Sequence, residues 1–294
     1  MLNSLIIFLQ KENYKRFYLA LLRIILCSFL LKEILLKYST WSLLYSNTTL
    51  LQFNTHSVFA VTGIGDGFLK EHYLFVIICY ITSLLLFLFG IGKNIMAAIV
   101  FCLLFLLQRL NNAEVNGGDA LARFLIFYLI FANSFQYFAV KKSSSTPVTN
   151  LISNLASFSM MLQLCIAYYF GFYNKVINPY WQDGSAMYYI FNTHAYASTG
   201  LNKTLSQYNW LTIFFTYATL VLEVSFPFLI WFKKCRNPLM ILGVILHLSI
   251  YFLMMLYNLQ IVFLIFYGLF FTHEEWMNFL KKRINIFYRT MVKQ

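Results

Sequence analysis

Charge is what this sequence lacks most. Of 294 residues only 11% are Asp, Glu, Lys or Arg, and the acidic share is 10 residues against 22 basic ones. A soluble domain carries about 25% charged residues, so water is excluded as the main solvent of this chain. Proline is scarce, 4 in all, which leaves long stretches free to be helical. The cysteines (Cys27, Cys79, Cys102, Cys165 and Cys235) are scattered, with no CxxC and no pair at metal-ligand spacing, so neither a zinc site nor a disulfide is expected. The apolar residues 2–9 are followed by Lys11, Lys15 and Arg16 and by no small-residue cleavage site. That is the wrong order for a signal peptide, and a short interfacial helix is expected instead. No internal repeat is visible. Only 141–146 (KKSSST) is low in complexity, a flexible cytoplasmic linker on this reading.

What is present is apolar. Hydrophobic residues make up 60% of the chain, with 32 Phe and 21 Tyr, an excess that suits lipid-facing packing and interfacial belts. A net charge of +12 would point to nucleic acid in a soluble protein. Here the basic residues serve to hold loops on the cytoplasmic side, so the expected partner is the lipid bilayer and no nucleic acid. A span needs about 20 apolar residues. The pattern predicts an all-α integral membrane protein, a bundle of about eight transmembrane helices near 17–36, 73–91, 95–109, 120–139, 151–173, 208–232, 238–257 and 259–272. Asn94, Pro147 and Pro238 sit near helix starts, where such residues belong. Residues 1–280 read as a single membrane domain and 281–294 as a basic cytoplasmic tail.

Placing both termini in the cytoplasm puts fourteen basic residues inside: Lys11, Lys15, Arg16, Lys93, Lys141, Lys142, Lys233, Lys234, Arg236, Lys281, Lys282, Arg283, Arg289 and Lys293. The longer outside loops then hold five, Lys37, Lys70, Arg109, Lys175 and Lys203, as the positive-inside rule requires. The chemically varied segments 37–72, 110–119 and 174–207 fall outside, so an active site is expected on the extracytoplasmic face.

Ionisable groups at membrane depth are costly and mark candidate sites. Glu223 lies deep in the sixth span and His247 near the middle of the seventh, where antiparallel neighbours could bring them together as a proton relay or as a polar pair that fixes packing. Arg23 could hold an anion or cap a neighbouring helix, while Lys32 and Glu33 can snorkel to the interface. The segment 109–119 is the most polar in the chain: Arg109 and Glu114 are substrate-binding candidates, Asn111 and Asn112 are functional candidates, Gly117-Gly118 permits a tight turn, and Asp119 binds substrate or caps the next helix. In 170–187, Lys175 precedes a helix-breaking Pro179, Tyr180 and Trp181 anchor at the interface, Gln182-Asp183-Gly184 makes a turn, and 185–191 forms an interfacial or re-entrant helix. A lysine among such aromatic and apolar neighbours can serve as a base, or as a snorkelling anchor.

The ordered set Arg109, Asn112, Asn116-Gly117-Gly118-Asp119, Lys175, Trp181-Gln182-Asp183-Gly184, Leu222-Glu223-Val224-Ser225-Phe226-Pro227 and His247 resembles the HTTM superfamily, membrane proteins related to the vitamin K-dependent gamma-carboxylase. The run from Trp181 to Tyr189 is also similar to the SdpB-like bacterial branch, which takes part in maturing a secreted peptide toxin. The resemblance covers about residues 15 to 276. It implies a base at Lys175, an intramembrane histidine at His247 and a substrate-orienting asparagine at Asn112, with Ala113 where the family has a histidine. It further implies an extracytoplasmic active face in a bacterial inner membrane, a reduced quinone of the vitamin K hydroquinone kind as cofactor, and a small secreted peptide as substrate or partner. Three functions follow as expectations. The first is a membrane enzyme using Lys175, His247, Glu223 and Asn112 with Arg109, Glu114, Asp119, Trp181 and Asp183 around the substrate. The second is a non-catalytic accessory protein of peptide maturation or export. The third is a transporter, disfavoured by the lack of duplicated halves. Asn47-Thr48-Thr49 and Asn202-Lys203-Thr204 match the glycosylation pattern, which matters only in a eukaryotic secretory compartment.

Overall fold

The computed structural model describes residues 2–46, 66–111, 115–196 and 199–291. Its helices, in chain order, are α1 (Leu2–Lys11), α2 (Arg16–Leu36), α3 (Trp41–Tyr45), α4 (Asp66–Glu71), α5 (Tyr73–Leu88), α6 (Lys93–Leu110), α7 (Gly117–Leu129), α8 (Pro147–Val176), α9 (Pro179–Gln182), α10 (Ala186–Asn192), α11 (Gly200–Ser206), α12 (Asn209–Leu229), α13 (Lys233–Met254), α14 (Tyr257–Tyr267) and α15 (His273–Met291). No strand occurs among the described residues. Four helices, α6, α8, α12 and α13, are long and apolar enough to cross a bilayer; α5 and the segment Tyr257–Phe270 are apolar but shorter. The α2 helix has the length, and it carries Arg23, Lys32 and Glu33.

The chain divides into two compact units. The first comprises Met1–Phe158 with Phe271–Gln294, and the second Ser159–Phe270. In the first unit, Leu19, Leu22 and Leu26 repeat at helical spacing along α2 and are fully buried, as are Ile77, Leu84 and Phe87 of α5, the helix α2 packs on. A helix, α1, is present at the N-terminus, where a short one is expected. It is tied down by Asn154 of α8, whose Nδ2 donates to Leu9 O and Glu12 O at 2.8 Å each and whose Oδ1 accepts the Tyr14 N–H. Residues 281–291 continue α15 from His273, so the basic end of the chain is helical through Met291.

The expected span at 120–139 is corrected. Its helix, α7, stops at Leu129 after 13 residues, a rise of about 20 Å against the ~30 Å of a hydrocarbon core. Residues 130–146 are irregular, and buried and half-buried side chains take up some of their backbone groups. Asn94 Nδ2 donates to Ile130 O (2.7 Å) and Ala132 O (3.2 Å). Arg23, with no exposed surface, donates to Ser134 O at 2.5 Å and to Phe138 O, with its guanidinium 5.0 Å from the Phe135 ring centroid. Asn133 receives the Ser143 hydroxyl and accepts from Phe135 N, and its own N–H meets Ser153 Oγ at 2.7 Å. Non-helical backbone inside an apolar bundle persists only where protein groups satisfy it in this way. Arg23 therefore braces the irregular segment, at carbonyls five and nine residues beyond the end of α7, and does not cap that helix.

In the second unit, α13 begins at Lys233, so Pro238 lies inside the helix and not at its start. The joint between α13 and α14 is as short as expected, with Met255 in the left-handed region at φ 53°. The segment after α8 folds into three short helices, α9 to α11, and α10 covers nearly the residues expected for a short helix there. Asn178 caps α9 by accepting the Tyr180 N–H, with Pro179 in the first turn.

Candidate functional site

The second unit gathers five of the nine candidate residues. Lys175 stands in the last turn of α8 and Glu223 about two-thirds of the way along α12. Lys175 Nζ lies 2.8 Å from Glu223 Oε1 and 2.9 Å from Oε2, and 5.4 Å from the Trp181 ring centroid. The lysine side chain is 27% exposed and the glutamate 12%, so the lysine is the more accessible partner. Gly171, one turn before Lys175, lies beside the same carboxylate: a Cβ there would sit in ordinary contact with it, at 3.5 Å. Sequence logic explains the register, because 168, 171 and 175 fall on one face of α8.

The loop carrying Trp181 is clamped on α12. Tyr217 Oη donates to Gln182 O at 2.9 Å, and Met187 N–H donates to Thr216 Oγ1 at 3.2 Å. Gly184 turns the chain at φ +82° with its Cα against the Tyr217 ring, so a side chain there would be strained and crowded. Asp183 accepts both the hydroxyl and the N–H of Ser185, at 2.6 and 2.8 Å. Those bonds, the hydroxyl's first, hold its carboxyl below the usual range.

His247 does not meet Glu223. It belongs to a second cluster, built from Tyr168 of α8, Tyr267 and Gln260 of α14, and itself. Tyr168 Oη is 2.7 Å from His247 Nε2 and 2.5 Å from Tyr267 Oη, and His247 Nδ1 bonds to Gln260 Oε1. Gln260 Oε1 can only accept, so Nδ1 carries the imidazole proton. A neutral ring then accepts at Nε2, which makes Tyr168 the donor to histidine and Tyr267 the donor to Tyr168. Every member is under 7% exposed. Phe226 stacks on Tyr168 at 4.0 Å and Phe263 on His247 at 4.5 Å. The tyrosine oxygens fit because Gly243, four residues before His247, has no side chain: an added Cβ would lie 2.0 Å from Tyr267 Oη. As it stands the chain of bonds is closed and fixes the histidine tautomer.

The remaining candidates belong to the first unit or lie outside the described residues. Arg109 is in the last turn of α6. Asp119 does cap a helix, though not as its N-cap residue. Asn116 holds that position on α7, and Asp119, three residues on, completes a reciprocal capping box by accepting the Asn116 N–H at 3.0 Å. Asn112 and Glu114 fall outside the described residues, as do the 47–49 pattern and most of the 37–72 segment. Lys32 and Glu33 pair with each other at 3.0 Å. Sequence reasoning missed Tyr168, Gly171, Gly243, Gln260 and Tyr267. Two of these carried a signal: Tyr168 is seven residues before Lys175 on the same helix face, and Gly243 is one turn before His247.

A cavity of about 490 Å³ lies between α12 and α13, lined by hydrocarbon from Phe215, Leu222, Leu242 and Ile245 among others. Two of the three hydroxyls on its wall turn back to their own helices, Thr219 to Phe215 O and Ser249 to Ile245 O, each at 2.8 Å, and Ser225 is the third. Among the described residues no group of three or more His, Cys, Asp or Glu could hold a metal ion. Comparison of the chain with family models, with curated proteins and with solved structures gives no match.

Proposed function

We propose that this chain is a polytopic membrane enzyme whose acid–base centre is the Lys175–Glu223 pair, acting at the extracytoplasmic face on a peptide or lipid-soluble substrate. The observation that carries the reading is the pair itself: a partly desolvated lysine held on both oxygens of one carboxylate, beside an aromatic ring, at the end of a long apolar helix. Such a pair works as a unit. A proton passing from Lys175 Nζ to Glu223 leaves a neutral amine whose lone pair can remove a proton from a substrate carbon or heteroatom. The substrate's proton then resides on the amine and the first on the carboxyl. The Trp181 face stabilises the ammonium form and orients it. The distribution of basic residues supports the extracytoplasmic side.

The reduced quinone implied by the HTTM-like motifs fits the chemistry of the cavity between α12 and α13, whose wall offers hydrocarbon and no free polar group of Thr219 or Ser249. Leu222, Leu242 and Ile245 would hold its tail, and the bound group would supply reducing electrons. A second reading, the accessory protein of peptide maturation, is favoured by one observation: both nitrogens of His247 are already engaged inside a closed cluster.

The two readings separate in one experiment. The protein is purified with native lipid, and co-purifying small molecules and peptides are identified by mass spectrometry, for the parent and for Lys175→Ala. The enzyme reading expects a quinone or peptide in the parent and turnover that disappears in Lys175→Ala. A variant that supports peptide maturation as well as the parent does would rule the enzyme reading out.

A further inference from the structure

The first unit gathers lysines at one end that the proposed acid–base chemistry does not use. Hydrogen bonds draw four stretches of chain together there. Asn13 Nδ2 donates to Asn133 O at 3.2 Å, and Asn133 in turn accepts the Ser143 hydroxyl and donates to Ser144 O at 3.2 Å. Ser145 Oγ donates to Asn150 Oδ1 at 2.7 Å, while Asn150 Nδ2 donates to Gln10 O at 3.1 Å. The start of α15 joins through its His273 N–H, which donates to Tyr14 O at 2.7 Å, and through Lys15 Nζ, which donates to Phe271 O at 3.1 Å. The end of α1, the segment 141–146 and the starts of α8 and α15 are thereby held at one end of the unit.

Five lysines are exposed on these elements: Lys11, Lys141, Lys142, Lys281 and Lys282. None of them forms an ion pair among the described residues. The carboxylates nearby do not balance them. Glu12 is engaged by Arg16 at 2.6 Å and Glu275 accepts the Thr272 N–H at 2.9 Å, which leaves Glu274. Further along, α15 carries Arg283 and Arg289 in its sequence, of the same sign.

Positive charge alone would suit any polyanion, and the neighbours of the lysines narrow the choice. Ile7 and Phe8 are exposed one turn before Lys11, on the same face of α1. Phe279 is exposed one turn before Lys282 on α15, and Val140 is exposed directly before Lys141. Each group of lysines thus has hydrocarbon beside it at the surface. That pairing suits the headgroup boundary of a bilayer, where the apolar side chains enter the acyl layer and the ammonium groups reach the phosphates. A nucleic acid or an acidic protein would offer the charge and leave the hydrocarbon without a partner.

We propose that this face binds anionic phospholipid, with the five lysines on the headgroups and Ile7, Phe8 and Phe279 against the acyl chains. A lysine close to a charged membrane surface strengthens attraction about fivefold, and salt weakens the effect. A lipid with no net charge gains little from it. No residue of the second unit takes part, so the proposal stands or falls separately from the Lys175–Glu223 reading.

The test uses the full-length protein in an uncharged detergent, titrated with a soluble, fluorescent short-chain phosphatidylglycerol. Phosphatidylcholine with the same chains and free glycerol phosphate are the comparison probes. Phosphatidylglycerol should bind at least fivefold tighter than either, and the difference should shrink as salt is raised. The variant carrying Lys141→Gln, Lys142→Gln, Lys281→Gln and Lys282→Gln should keep its melting midpoint and lose the preference. If that variant fails to fold, Lys11→Gln alone should weaken phosphatidylglycerol about fivefold and leave phosphatidylcholine unchanged. Lys233→Gln with Lys234→Gln, in the second unit, should keep the preference. Equal affinity for the two lipids overturns the proposal. So does glycerol phosphate binding as tightly as the lipid, a preference that survives in whichever first-unit variant folds, or an equal loss in the second-unit variant.

Discussion

Gly243→Ala is the smallest change that should break the second unit. On an open helix face this substitution stabilises, because alanine exceeds glycine in helix propensity by about 1 kcal/mol. Here the new methyl carbon would fall 2.0 Å from Tyr267 Oη, 2.9 Å from its Cζ and 3.3 Å from Tyr168 Oη. Relief requires Tyr267 to retreat by about 1 Å or more, and its 2.5 Å bond to Tyr168 has no slack for that. Overpacking costs about 1–3 kcal/mol, and a buried hydroxyl left unpaired about 1–3 kcal/mol more. Set against the propensity gain, the net loss is about 1–5 kcal/mol. Thermal unfolding of the purified full-length protein measures it. The diagnostic step is rescue: Tyr267→Phe removes the oxygen that clashes, so Gly243→Ala with Tyr267→Phe should be more stable than Gly243→Ala alone. A Gly243→Ala protein as stable as the parent, or a double variant that recovers nothing, refutes the reasoning.

Three further outcomes follow from particular contacts. Arg23→Lys keeps the charge but loses the fork that reaches both Ser134 O and Phe138 O; it should cost about 2–4 kcal/mol, read by melting and by new protease cleavage within 130–146. Lys175→Met and Glu223→Gln should each destabilise by about 1–3 kcal/mol, below the figure for fully buried pairs because the lysine is 27% exposed, and the double variant should recover part of the loss in a double-mutant cycle. His273, at the start of α15, has its imidazole pushed below the ordinary 6.5 chiefly by burial, with Arg16 adding to it. Its neutral form is the one the fold favours, so stability should be full above about pH 6.5 and fall as pH drops through that value towards the lower folded one. His273→Asn should flatten that slope in melting curves between pH 7.5 and 5.5.

The helical class was legible because hydropathy reports it directly, and α6, α8, α12 and α13 are where long apolar runs stood in the sequence. The break after α7 was not legible. The run 120–139 looks like a span to any composition measure, and the reason it is not a full helix lies a hundred residues away, in an arginine whose side chain finds the carbonyls of 134 and 138. The start of α13 was misplaced because Pro238 reads as a local start signal, whereas the helix runs five residues before it through exposed and half-buried residues. At the candidate site, Lys175, Glu223, His247 and Trp181 were singled out as costly or unusual residues, and the structure does join Lys175 to both Glu223 and Trp181. Pairing is another matter. Glu223 and His247 are both acid–base groups on neighbouring helices, yet each takes a partner from α8, Lys175 and Tyr168, because those two lie a helical repeat apart on one face. Tyrosine is common in this chain, 21 residues, so only the seven-residue spacing from Lys175 set Tyr168 apart from the interfacial aromatics.

The central claim is that the Lys175–Glu223 pair works on the extracytoplasmic side. The direct measurement is cysteine labelling in intact cells with a membrane-impermeant maleimide, in a background with the five native cysteines removed. The exposed Asp183 and Ser145 positions carry the single reporters Asp183→Cys and Ser145→Cys. The account predicts labelling of Asp183→Cys in intact cells and of Ser145→Cys only after permeabilisation; the reverse pattern would contradict it.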